Sequence, residues 1–287
     1  MTGMGGLRGR KSRQRFTSIL LTIILAIGAI IVLLPILWML STSLKDQGQV
    51  FIMPPKWIPN PIRWGNYPEA LDFMNWKVVY RNTIMITTLN ILGTLISSTL
   101  VAFAFARLRA PKKDLLFLIM LSTIMLPYQV VLIPQFILFK TMGWVDTFYP
   151  LIVPFFFATT PFLIFLLRQF FMTIPIEMDE AAIIDGCNYF QVYYKIILPL
   201  SKPALGIVAI QSFMNNWNDL MRPLIFLNSA GKYTVSLALA NFSAEYGMTP
   251  WNLLMAASLI ALLPCILLFF FAQRYFIQGI VITGLKG

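Results

Sequence analysis

The sequence predicts an all-α, polytopic membrane protein with six transmembrane helices. Three observations carry that expectation. Of the 287 residues 58% are hydrophobic and only 11% charged, with a mean hydropathy of +0.76, whereas a soluble domain carries about 25% charged residues. Six stretches approach the roughly 20 mostly apolar residues that a bilayer crossing needs. Lysine and arginine then sort to one side of those stretches.

The first stretch runs from Phe16 to Leu40 and follows Arg8, Arg10, Lys11, Arg13 and Arg15. Residues 1–15 therefore read as a cytoplasmic basic N-terminus and residues 16–287 as the six-helix transmembrane domain. The basic start has the look of a secretory signal, but the apolar run is too long and lacks a small-residue cleavage site, so it reads as a retained span. The others run Thr83–Ala106, Leu115–Phe139, Thr147–Leu167, Ala204–Leu224 and Trp251–Gln273. Within the third, Pro127, Tyr128, Gln129, Pro134 and Gln135 predict a kink or an early end. Such breaks are tolerated where neighbours or water satisfy the freed carbonyls, which places this span beside a cavity.

With both termini cytoplasmic, the inner segments hold 14 of the 22 basic residues, among them Arg107, Arg109, Lys112 and Lys113 after the second span. Arg107 and Arg109 read as snorkelling orientation charges. All seven tryptophans fall on the outer side or in the outer half of a span, where indoles anchor at the interface. The loop Ser41–Arg81, with Pro54, Pro55, Pro59, Pro61 and the run Gly65–Leu71, is too long for a plain connector. A high net charge of +11 can signal nucleic acid, but its distribution here is that of topology.

The long polar interruption Pro175–Pro203 is the centre of the functional reading. Pro175 suits a helix start. Glu177, Asp179 and Glu180 follow in the first turn, where the helix dipole favours negative charge. Gly186 can end the helix in a left-handed conformation. A second helix from about Asn188 to Leu198 stops against Pro199, and Ser201 with Pro203 reads as the cap and first turn of the next span. Two short helices with a sharp corner suit docking to another protein.

Glu180-Ala181-Ala182, then Gly186, then Ile196-Ile197-Leu198-Pro199 resembles the EAA loop of binding-protein-dependent ABC importer permeases, with Asp185 and Pro203 similar to the carbohydrate-uptake, maltose-type branch. Cys187 departs from the alanine more usual there. The resemblance implies an ABC importer type I (MetI-like) permease fold, with the EAA coupling loop at 175–203 fitting a cleft on a cytoplasmic ATPase. Glu180, Ala181, Ala182, Asp185, Gly186, Ile196, Leu198 and Pro199 would be its coupling residues. It further implies a second homologous permease subunit, an ATPase dimer that holds ATP and Mg, and an extracytoplasmic solute-binding protein that the long outer loop either faces or leaves alone, capping its own bundle. The tail, residues 273–287, would reach the ATPases. The cargo implied is a sugar, oligosaccharide or polyol that the sequence does not name.

In the fifth span, Asn215, Asn216, Trp217, Asn218 and Asp219 should avoid lipid. They read either as a lining of the translocation path or as interhelical bonding, with Asp219 paired to Arg222. Ser97, Ser98 and Thr99 read as small-residue packing. There is no histidine, which excludes the commonest general base and metal ligand. Cys187 and Cys265 form no recognisable pair. Gly5, Gly6 and Gly9 do not make a phosphate-binding loop, since Arg10 precedes Lys11. The expectation is thus a permease subunit of the inner membrane, surrounded by lipid, that is no enzyme and holds no cofactor, metal or nucleic acid. An ion-coupled secondary carrier is the alternative.

Overall fold

The computed structural model describes residues 5–242 and 249–284, with side chains from Phe16 to Phe242 and from Thr249 to Gln273. These fold as two compact units, residues 1–71 with 248–260 and residues 72–247 with 261–287. The described secondary structure is helical throughout. Four helices are long and apolar enough to cross a membrane, and two bent helix pairs raise the number to six if each pair is one span.

In the first unit, α1 (Gly5–Ser43) exposes apolar side chains along its length from Phe16. The chain then turns through a short 3₁₀ helix (Gln47–Gln49) towards α2 (Asn66–Asp72). Asn66 organises this turn: its amide donates to the carbonyls of Ser43 and Lys45, both at 2.8 Å, and its Oδ1 accepts from Asn252 at 3.3 Å. Lys45 is only 1% exposed, with its ammonium 4.0 Å from the Trp38 ring. Residues 44–71 are therefore a folded segment built on the Gly65–Leu71 run.

The second unit is arranged around α3 (Trp76–Arg107), whose start is capped by the Asn75 side chain. Next come α4 (Lys113–Ser122) and α5 (Tyr128–Thr141), joined by a 3₁₀ turn and bent by 98° at the break before Tyr128. The sequence-based kink at Pro127 thus becomes a full turn, because Pro127 offers no N–H to continue the ladder. The fourth span, Tyr149–Thr173, extends past the expected Leu167 and is not one regular helix. It comprises α6 (Tyr149–Ile152), a 3₁₀ stretch (Val153–Phe157), a left-handed Ala158 with φ +55°, and α7 (Pro161–Thr173). Pro154 and Pro161 set this pattern.

The loop at 175–203 forms α8 (Ile176–Ile184), α9 (Tyr189–Val192), a π-helical turn (Tyr193–Ile197) and α10 (Leu198–Leu200). After a 79° bend the chain enters α11 (Lys202–Trp217), then α12 (Met221–Phe226), α13 (Val235–Asn241) and α14 (Trp251–Gly284), whose residues up to 260 belong to the first unit. The fifth span therefore ends at Trp217 instead of running to Leu224. Asn218 and Asp219 turn out of the helix there, and Pro223 lies inside the separate α12.

Helix α3 packs on α7 and α11. One apolar cluster surrounds its last turns (Ala102, Phe103, Leu163, Leu167, Phe171, Val192, Val208), and a second lies near its first half (Ile86, Phe139, Leu151, Phe226, Leu237). Between them the buried face of α3 is polar. Thr83, Thr87, Asn90, Thr94 and Ser97 recur at spacings of three and four residues and are all buried, which places them on one side of the helix.

Candidate functional site

Each leg of the 175–203 loop is set by local chemistry. Helix α8 ends in a Schellman motif: the Cys187 N–H donates to the Ala182 carbonyl at 2.9 Å and the Gly186 N–H to the Ile183 carbonyl at 3.0 Å. Gly186 has φ +88°, a conformation that a side chain disfavours. Asn188 then opens α9 with a capping box, its side chain accepting from the Gln191 N–H while the Gln191 side chain accepts from the Asn188 N–H.

Two expectations for this loop are corrected. Pro199 does not stop the second helix, which continues through α10 to Leu200. The π turn before it directs the Leu198 N–H to the Tyr193 carbonyl, five residues back, and this wider turn accommodates the N–H that proline lacks. Ser201 makes no cap bond; its hydroxyl donates backwards to the Ile197 carbonyl at 2.7 Å, within the preceding turn.

The predicted coupling residues divide between two faces. Glu180, Ala181, Asp185, Gly186 and Pro199 are exposed, whereas Ala182 is buried in the apolar cluster and Ile196 and Leu198 pack against it. The corner adds exposed apolar residues that the sequence reading passed over: Ile184 at 86%, Phe190 at 65%, and Tyr189. Apolar side chains flanking a left-handed glycine were visible in the sequence, but only the fold shows them pointing outward.

The inner face is polar as well as apolar. Asp179 is buried and faces Arg107, the last residue of α3: Arg107 Nε and Asp179 Oδ2 are 2.9 Å apart, and both side chains are only 6% exposed. Arg107 also donates through Nη2 to the Ile174 carbonyl at 2.7 Å. Arg107 is therefore no snorkelling charge. The helix turn places it inward, against the only carboxylate of the Glu177, Asp179, Glu180 group that points the same way. In the second leg, the Tyr193 hydroxyl lies 2.7 Å from Thr99 Oγ1, and its ring packs on Phe103.

Several other polar residues of α3 hold neighbours, while the Thr87 and Thr94 hydroxyls are buried without a hydrogen-bond partner. Asn82 donates to the Gly231 and Tyr233 carbonyls at 3.0 and 3.2 Å, and Thr83 Oγ1 accepts from the Val235 N–H at 2.8 Å. Ser97 donates to the Phe155 carbonyl at 2.9 Å, and Ser98 meets Thr160 at 3.0 Å. Ser97, Ser98 and Thr99 thus bond between helices, beyond the small-residue packing expected of them.

The Asn215–Asp219 run splits in the same way. Asn216 is buried and accepts from the Asn90 amide at 2.6 Å, while Asn90 also donates to the Leu151 carbonyl at 2.9 Å. Trp217 is buried against Phe213 and donates to the Ala261 carbonyl at 3.2 Å. Asp219 pairs with Arg222 at 2.6 Å, and the guanidinium lies 4.8 Å from the Phe155 ring centre. Asn215 and Asn218 are exposed. The cavity beside Thr87, Asn90, Asn216 and Asp219 measures about 10 Å³, room for about one water and far too little for a sugar. The buried members of the run hold helices together, whereas Asn215 and Asn218 are exposed, the first accepting from Gln211 at 3.2 Å and the second donating to the Met214 carbonyl at 2.9 Å.

A second polar cluster joins the loops at 142–148 and 227–232. Asp146, with φ +59°, accepts from the Asn228 and Ser229 N–H groups, both at 3.0 Å, and from the Lys232 ammonium at 2.9 Å. Lys232 and the Ser229 donors hold its carboxyl well below the usual range.

These are the features of a polytopic membrane protein with a short, cornered loop between two spans. The family model described as binding-protein-dependent transport system inner membrane component matches residues 95–282, and the chain belongs to that family. It is 31% identical to the arabinooligosaccharides transport system permease protein AraQ of Halalkalibacterium halodurans, over 96% of this chain and 100% of that protein. It is also 31% identical to the trehalose/maltose transport system permease protein MalG of Thermococcus litoralis, over 94% and 98%. In fold it matches a chain of a bacterial ABC transporter involved in the import of the acidic polysaccharide alginate, with TM-score 0.79 and 24% identity over 92% of this chain and 98% of that one. The EAA-type resemblance and the MetI-like fold expected from the sequence are thereby established, and the chain is a multi-pass membrane permease.

Proposed function

We propose that this chain, with a second homologous permease, forms the path by which an oligosaccharide or related sugar crosses the inner membrane. ATP and Mg would be held by a separate ATPase dimer, and an extracytoplasmic solute-binding protein would deliver the cargo. Both termini and the 175–203 loop lie on the cytoplasmic side in this reading. Glu180 makes the polar contact to the ATPase, Ala181 allows close approach, Gly186 fixes the corner, and Asp185 and Pro199 complete the exposed face. Ala182, Ile196 and Leu198 seat the loop on its own bundle. Asn215 and Asn218 line the path with amides that can bond sugar hydroxyls, while Asn216, Trp217 and Asp219 support them.

The observation that carries this reading is the loop itself, with an exposed apolar and acidic corner on one side and buried anchors on the other. The shared naming of relatives as oligosaccharide and disaccharide permeases supports the cargo class. The test is uptake into proteoliposomes holding the full complex, with arabino-oligosaccharides, trehalose and maltose each offered on the cognate binding protein. Uptake that needs internal ATP and ignores an ion gradient is expected. Uptake that persists without ATP and collapses with the ion gradient would instead identify a secondary carrier.

A further inference from the structure

Helix α3, 32 residues long, hydrogen-bonds several neighbours along its length. At its last residue it meets the loop through two charged side chains that are almost completely enclosed. We propose that Arg107 and Asp179 form a rigid joint that makes α3 the element driven by the 175–203 loop, so that both are positioning residues for transport. This rests on the coupling role proposed above for that loop.

The geometry of the joint is three-way. One guanidinium reaches the Asp179 carboxylate with Nε (2.9 Å) and the Ile174 carbonyl with Nη2 (2.7 Å). It therefore fixes the end of α3 against both the end of α7 and the first turns of α8. Helix α8 is held between two functions: Asp179 and Ala182 face inward, while Glu180, Ala181 and Ile184 face outward. A push on the outer face therefore passes to α3 through Asp179 with no flexible segment between. The Tyr193–Thr99 contact ties the second leg of the loop to the same helix two turns back.

The pair is poorly explained by stability alone. Asp179 Oδ1 and Arg107 Nε are both buried without a hydrogen-bond partner, so their side chains meet as an ion pair, and a buried ion pair generally stabilises no better than well-packed apolar residues of similar volume. What charge supplies and methyl groups do not is direction. The guanidinium donates a directional hydrogen bond to the Ile174 carbonyl while its charge holds the Asp179 carboxylate in ion-pair contact, a combination a lysine's point charge does not reproduce.

The test uses the complete reconstituted complex, with Cys187 and Cys265 replaced by alanine and a bimane fluorophore on a cysteine introduced by Arg81→Cys, an exposed position in the first turns of α3. The readout is the change in emission on adding ATP with vanadate. Arg107→Gln, Arg107→Lys and Asp179→Asn should each reduce that change at least about fivefold, within the range of coupling energies for contacting residues. The swap Arg107→Asp with Asp179→Arg should recover at most part of it, because a carboxylate at 107 cannot donate to the Ile174 carbonyl. Should the single variants fail to assemble, the apolar pair Arg107→Met with Asp179→Leu decides, because it keeps the packing and removes the directional contacts. A full response from that pair, or from the single variants, overturns the proposal. Gly186→Pro serves as the control: if it abolishes the response while the Arg107 and Asp179 variants do not, the joint is wrong and the coupling loop stands. If the unsubstituted complex shows no nucleotide-dependent change, or Gly186→Pro responds fully, the coupling role of the loop falls and the joint with it.

Discussion

Gly93 of α3 lies against Phe156 of the 3₁₀ stretch, and a Cβ built there would lie 2.7 Å from the Phe156 ring. Phe156 is partly exposed and can swing aside, so Gly93→Ala should cost about 1 kcal/mol, the low end for overpacking, read as a drop in thermal stability of the purified protein. Arg107→Ala is a different case. It leaves the Asp179 carboxylate buried without its cation, and breaking one side of such a pair costs about 3–5 kcal/mol; a melting shift as small as that of Gly93→Ala would contradict that burial. Asp146 gives a pH dependence. Its folded-state pKa is depressed by Lys232 and Ser229, so its contribution is present above the ordinary aspartate value of about 4 and fades as pH falls through the lower folded value. Amide protection in residues 227–232, exchange taken relative to the intrinsic rate at each pH, should therefore fall as pH drops below about 4, and Asp146→Asn should show the lower protection already at neutral pH.

At the scale of elements, the loop corner and the α3–α11 contact make separable predictions. Gly186→Pro forces φ near −65° where the chain needs +88°, and it removes the N–H bound to Ile183. Membrane insertion should persist while ATP hydrolysis runs without uptake, as it should with Glu180→Lys on the exposed face; normal uptake by both variants would count against the coupling role. For Asn90 and Asn216, single leucine substitutions strand a buried amide, whereas the double substitution removes both partners together. A double-mutant cycle on unfolding should give a coupling of about 1 kcal/mol, typical of polar pairs between membrane helices. These elements also show what the sequence made legible. The left-handed Gly186, the break at Pro127 and the Asp219–Arg222 pair each follow from local chemistry within a few residues. The burial of Asp179 was not legible, because the dipole argument accounts for every acid in that turn and only the packing of α3 tells them apart. The polar face of α3 was readable as a three- and four-residue spacing from Thr83 to Ser97, but the high hydropathy of the span masked it. The end of the fifth helix at Trp217 was missed because apolar residues continue beyond Asp219 as they would in an unbroken span.

For the whole molecule, the bend at Pro127 sets a condition on how the protein can exist. Helices α4 and α5 hold 10 and 14 residues, about 15 and 21 Å at 1.5 Å per residue, against a hydrocarbon layer of about 30 Å. Neither half can reach across alone, so the pair can cross only as a broken span whose 98° turn lies within the membrane. Backbone groups released at such a turn are not tolerated facing acyl chains, and residues 122–130 are all exposed on this chain. A solitary copy in a bilayer would thus carry an uncovered seam. Synthesis without its companion permease should leave it prey to the cell's quality-control proteases, while joint synthesis should extend its lifetime, as a pulse-chase comparison would reveal.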